Sequence, residues 1–186
     1  MRVLGIDPGL TRCGLGVVDS GAGRSVTLVD VRVARSDAAW ELPERLGAVA
    51  DVLHQVLDAF APQAIALERV FAQHNVSTVM GTAQISGVAM YVARERGIPV
   101  AMYTPTEVKA AITGSGRADK AQVTFMVTRV LGLDAPPRPA DAADALAIAV
   151  AHAWKGAGRA AAPGAKTPTA AQARWEQALR DARGGA

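Results

Sequence analysis

Four carboxylates stand where regular structure could carry them to one place: Asp7, Glu68, Asp141 and Asp144. Asp7 closes the apolar run Val3-Leu-Gly-Ile6, just ahead of a Pro8-Gly9 turn. Glu68 closes a second such run, Ala64-Ile-Ala-Leu67. Asp141 and Asp144 lie at i and i+3 where an Ala-rich helix begins, hence on one helical face. Three or four carboxylates gathered within a few ångströms repel one another, which raises their pKa values or calls for cations. An all-oxygen donor set without His or Cys favours Mg²⁺ or Mn²⁺ over Zn²⁺. Four carboxylates balance two divalent ions in formal charge. Two such ions about 3.5–4 Å apart suit in-line phosphodiester hydrolysis, one activating water and the other stabilising the departing oxygen. Singly, each acid has a plainer reading: Asp7 as a turn cap, Asp141 as an N-cap or first-turn acid. Their joint placement favours the metal reading.

The surrounding pattern says what must position them. Residues 2–7, 13–19 and 25–33 read as three strands on short connections, an antiparallel meander. Pro43-Glu44 opens a helix with apolar positions at Leu46, Val49, Leu53, Val56, Leu57 and Phe60, stopping before Pro62. The strand ending on Glu68 comes next, and Phe71-Ala-Gln-His-Asn75 reads as an exposed loop. A long helix N-capped by Ser77 runs to about Glu95, with small residues at Gly81, Ala83, Ser86, Gly87 and Ala89. Pro99–Tyr103 is a fifth strand, so the 63–103 stretch implies a parallel pair joined by a crossover. Thr104-Pro105 opens another helix, and Gly114–Lys120 is a glycine-broken basic loop. Ala121–Leu131 and Asp141–His152 complete the helices. The fold class is α/β, a five-stranded mixed sheet flanked by helices. Residues 1–154 form one domain; 155–186, rich in Gly, Ala, Pro and Lys, read as a disordered basic tail, with Ala170–Arg183 a short fraying helix.

Composition narrows the class. The sequence pI of about 9.4 invites a nucleic-acid reading. Yet residues 1–150 carry fourteen Lys and Arg against fifteen Asp and Glu, so the basic excess lies at the chain's end. DNA binding must therefore rest on where individual charges sit. Cys13, the one cysteine, falls inside a strand and reads as a buried structural thiol. No signal-peptide pattern opens the chain and no apolar run nears the ~20 residues of a membrane helix, which predicts a cytoplasmic protein. Phe60 and Phe125 lie on helical faces and are assigned to the core. Phe71, in its polar loop, could stack on an unpaired base.

Gly5-Ile-Asp7-Pro-Gly9, Leu67-Glu68-Arg-Val-Phe71, Asn75, the Lys120 region and Asp141-Ala-Ala-Asp144-Ala-Leu-Ala together resemble the bacterial RuvC family of crossover-junction endonucleases, in the same order over roughly residues 1–153. The resemblance implies a ribonuclease-H-like fold and a homodimer that cuts two opposed strands of a four-way (Holliday) DNA junction, in recombination and repair. By motif position it makes Asp7, Glu68, Asp141 and Asp144 the catalytic metal ligands, for two Mg²⁺ with Mn²⁺ able to substitute. Some relatives carry histidine in place of Asp141, so that position should be the most tolerant. Phe71, Asn75, Lys109, Gly116 and Lys120 fall at DNA-contacting positions, and RuvA and RuvB become expected partners. Lys109 has a plainer role open to it, pairing with Glu107. The small-residue face of the Ser77–Glu95 helix suits the dimer interface, although the same face could pack on the sheet.

Three rivals stand beside this reading. A Gly-Ile-Asp-x-Gly hairpin also opens sugar-kinase and actin-like ATPases, but those need a second lobe that 186 residues do not accommodate. A related nuclease acting on structured RNA is closer, and a non-catalytic junction-binding protein is the third. Retention of all four acids argues for catalysis.

Overall fold

The computed structural model describes residues 1–69 and 76–160. Strands β1 (Arg2–Asp7), β2 (Arg12–Ser20) and β3 (Val26–Arg35) precede helix α1 (Leu42–Phe60); β4 (Ala64–Glu68), α2 (Val76–Glu95) and β5 (Val100–Tyr103) follow; α3 (Pro105–Thr113), α4 (Lys120–Val130) and α5 (Ala140–Ala160) end the described chain. The sheet order is β3-β2-β1-β4-β5. β1–β2 and β2–β3 pair antiparallel, while β4 pairs parallel with both β1 and β5. The expected meander and crossover are both present.

Side chains alternate across a strand, and here the alternation sorts core from chemistry. Leu4 and Ile6 of β1, with Ile65 and Leu67 of β4, face α1 and α2 and join one buried cluster. Val3 and Ala66 point the other way, into the cluster that α3, α4 and α5 cover. Asp7 has the parity of Val3, and Glu68 that of Ala66. Both acids therefore emerge on the α5 face of the sheet.

α5 is a central helix and not an amphipathic cover. Every residue from Ala145 to Ala151 is at most 2% exposed, which is why the segment is apolar all round. It lies unusually close to the sheet because β1 and β2 present glycines to it. A Cβ on Gly5 would sit 2.2 Å from the carbonyl oxygen of Ala145, and one on Gly14 would sit 2.1 Å from that of Asp141. Gly5 pairs with Gly16 and Asp7 with Gly14 across the ladder, so these glycines form one patch. Strand glycines here serve the close approach of another backbone. That contact brings the first turn of α5, with Asp141 and Asp144, to the end of β1.

Three features depart from the sequence reading. Phe125 is not core: it is 62% exposed on α4. The helix assigned to α4 has its apolar stripe in Val123 and Val127, and Phe125 falls on the opposite side. α5 continues to Ala160, past the composition change at Lys155 and through Gly156 and Gly158; the rest of the expected tail lies outside the described residues. α2 begins at Val76, so Ser77 is within the helix and not ahead of it. Cys13 is 1% exposed, as expected, and burial pushes its thiol up to about 12.

Candidate active site

Asp7 and Glu68 end neighbouring parallel strands one step beyond the Ile6–Leu67 pair. Their carboxyl groups are hydrogen-bonded to each other. Burial, reinforced by the charge of Glu68 and then of Asp144, pushes the Asp7 carboxyl up from its ordinary range to about 8. Burial raises Glu68 as well, opposed by the hydrogen bond from Asp7. Asp141 and Asp144 arrive from α5, their side chains 20% and 26% exposed. All four acids line a single cleft of about 360 Å³, joined by Lys109 and Lys120.

The two lysines reach that cleft from helix starts fixed by capping. Thr104 caps α3: its side chain accepts from the Glu107 backbone N–H at 3.1 Å, and Glu107 Oε2 accepts from the Thr104 N–H at 2.9 Å. Glu107 also takes Lys155 Nζ at 3.1 Å, and these bonds together hold its carboxyl well below the usual range. Glu107 is thus engaged with Lys155, which removes the plainer role for Lys109 and leaves that lysine on the cleft. α4 is capped by Asp119 with Gln122 in the reciprocal position, placing Lys120 in its first turn. Lys120 Nζ lies 2.9 Å from Asp144 Oδ2, and that bond raises the ammonium pKa.

Asp141 is met by a residue the sequence reading passed over. Arg12 Nε, at the start of β2, lies 3.0 Å from Asp141 Oδ2. With Asp141 turned to Arg12 and Asp144 to Lys120, no three acidic, His or Cys side chains among the described residues are drawn into a tight metal cluster. The donor set nevertheless suits hard divalent cations. It offers carboxylate oxygens and no His or Cys, and burial together with neighbouring negative charge raises Asp7 and Glu68, a penalty on the charged forms that a cation would offset.

Gly114 and Gly116 shape the loop between α3 and α4. The Gly114 N–H is spent on Ala110 O at 3.0 Å as the C-cap of α3, with φ 81°. Gly116 packs against Thr106, where a Cβ would come within 2.7 Å of Cγ2. Neither borders the acid cleft. Phe71 and Asn75 lie outside the described residues.

Residues 3–152 match the family model for crossover junction endodeoxyribonuclease RuvC. The chain belongs to that family. It is 61% identical to the RuvC of Saccharopolyspora erythraea, over 98% of this chain and 92% of that one. With the RuvC of Streptomyces griseus it shares 66% identity over 83% of this chain and 76% of the relative. Among solved structures, Thermus thermophilus RuvC in complex with Holliday junction substrate superposes with a TM-score of 0.82 at 37% identity, covering 86% of this chain and 96% of that one. The ribonuclease-H-like α/β fold and the nuclease class read from the motifs are those of the RuvC family. What the motifs did not reveal in this RuvC chain was Arg12 and the glycine patch. Glycines inside strand-like runs were the available signal for the second; nothing local marked Arg12, whose partner lies far along the chain.

Proposed function

We propose that this chain resolves four-way DNA junctions by paired, symmetric phosphodiester hydrolysis, using Asp7, Glu68, Asp141 and Asp144 to hold divalent metal. The observation that carries this is the convergence of acids from β1, β4 and α5 on one cleft with two lysines. Mg²⁺, two ions per site with Mn²⁺ able to substitute, fits the four oxygen-donor side chains; when bound it supplies an activated water and charge stabilisation at the departing 3′ oxygen. Lys109 and Lys120 hold the strand's phosphates beside those acids, each as a mobile point charge. Asn75 and Gly116 take further backbone contacts, and Phe71 stacks on a base at the junction centre. Residues 1–154 are the catalytic unit.

Two cuts in a two-fold substrate need two sites related by a two-fold axis, so the working form is a homodimer. α2 supports this in a modified way. Gly81, Ser86 and Ala89 turn inward, whereas Ala83 and Gly87 lie on an exposed stripe with Met80, Met90 and Tyr91. That stripe is the proposed interface. RuvA and RuvB, which move junctions, are the proposed partners. No helix among the described residues is long and apolar enough to cross a membrane, and a cytoplasmic site of action belongs to the same proposal.

The test is incubation with Mg²⁺ and, separately, a mobile four-way junction, a linear duplex and a structured RNA. Paired symmetric nicks confined to the junction support the assignment. An intact junction beside degraded RNA moves the chain to RNA processing, and binding without any cleavage makes it a junction-binding protein.

A further inference from the structure

Asp141 borders two grooves. Beyond the acid cleft a second one, of about 530 Å³, runs between the β1–β2 turn and the helices α1 and α2, lined among others by Gly9, Thr11, Arg12, Arg45 and Gly81. Its walls come together because small residues permit it: a Cβ on Gly9 would meet the Arg12 carbonyl oxygen at 2.2 Å, and Gly81 of α2 packs on Leu10.

The charges in this groove are arranged in an unusual way. Arg45 is held in place by two neutral hydroxyls, its Nε donating to Ser36 Oγ at 3.1 Å and its Nη2 to Thr11 Oγ1 at 2.8 Å. Ser36 is 7% exposed and itself anchored to the Leu10 carbonyl, so the guanidinium is fixed in orientation without being neutralised. Arg12 is held by its Nε on Asp141, with its side chain 55% exposed, which leaves the donors on its terminal nitrogens to another acceptor. A pre-oriented arginine beside a second, half-exposed one makes a groove suited to anions with forked acceptors such as phosphate.

We infer that this groove carries the DNA strand away from the cut on the side opposite Lys109 and Lys120, with Arg12 and Arg45 each binding a backbone phosphate adjoining the scissile one. Asp144 takes its cation from the first cleft and Asp141 takes its own from the second, so a strand crossing the acids passes from one basic wall to the other. The inference rests on the junction-nuclease reading and adds a second phosphate-binding surface to it.

The experiment uses the full-length chain carrying Asp7→Asn, so that the junction stays uncut. Junction affinity is measured against salt concentration for this parent and for Arg12→Ala, Arg12→Lys and Arg45→Gln added to it. Each lost phosphate contact lowers the slope of log K against log salt by about 0.9. Arg12→Ala should lose about one such contact, and Arg12→Lys should restore it. Because loss of Arg12 also uncovers the Asp141 charge, the same comparison is made on junctions bearing one neutral methylphosphonate at successive positions flanking the cut. The Arg12→Ala penalty should vanish at one of them. A penalty that persists at every position, or an unchanged slope in Arg12→Ala and Arg45→Gln alike, overturns the groove while leaving the nuclease assignment standing. Failure of both the parent and the unsubstituted chain to bind the junction removes both.

Discussion

The carboxyl groups of Asp7 and Glu68, on the last residues of adjacent parallel strands, crowd one another at the mouth of one cleft. Both are raised, Asp7 to about 8, so over the range between its ordinary 3.8 and that value Asp7 in the folded protein holds a proton the unfolded chain has released. More protons bound in the folded state means that stability falls as pH rises. In chelator, the unfolding free energy should therefore drop between about pH 5 and pH 8, by up to about 1.4 kcal/mol per pH unit for one proton, and the melting temperature should fall with it. Asp7→Asn should flatten that slope and raise the melting temperature at pH 8. A metal-free profile that is level or rises over the same interval would show that the pair is not crowded.

Cleavage should depend unequally on the four acids. Asp7→Asn, Glu68→Gln and Asp144→Asn should each lower the single-turnover rate at least about 100-fold, the scale of deleting one charge-stabilising group. Asp141→His should retain more activity than Asp141→Ala, since imidazole can still ligate a divalent ion. Junction binding by gel shift should survive in all of them; its loss in Asp7→Asn would make Asp7 a structural residue.

Gly14 is the most demanding of the close approaches, because the atom a Cβ would meet is the backbone oxygen of Asp141 itself. Gly14→Ala should cost about 1–3 kcal/mol by pushing α5 off the sheet. It should also depress cleavage well below the melting transition, where every molecule is folded. Gly47→Ala, in α1 with nothing within 4 Å of the new carbon, is the matched control and should be neutral or slightly stabilising. Equal behaviour of the two variants would refute the packing argument.

For the proposed dimer, Met80 and Tyr91 are 54% and 64% exposed, so charges there do not disturb the protomer's core. The pair Met80→Glu and Tyr91→Glu should sediment as a folded monomer and convert paired cuts into single nicks. A variant that stays dimeric and cuts both strands would place the interface elsewhere.

The strands, the helices and the two acids at strand ends were legible in the amino-acid sequence because each is a local pattern. Apolar runs closing on Asp7 and on Glu68, a helix start at Thr104-Pro105, and a helix rich in Ala after Asp141 need only neighbouring residues to be read. The family motifs added the roles of the acids on the same local footing. What tertiary structure decided was every relationship between distant segments. Strand parity turns Asp7 and Glu68 to one face, but only the packing of α5 on Gly5 and Gly14 brings Asp141 and Asp144 to them. Glu107 chose Lys155, forty-eight positions away, over the lysine two positions along its own helix. Phe125, apolar and on a helix, stayed in solvent because α4 had already spent Val123 and Val127 on the core. Arg12 acquired its meaning from an aspartate at the other end of the chain. Such pairings are settled by which faces meet once the core closes, and periodicity along a single segment carries no record of that.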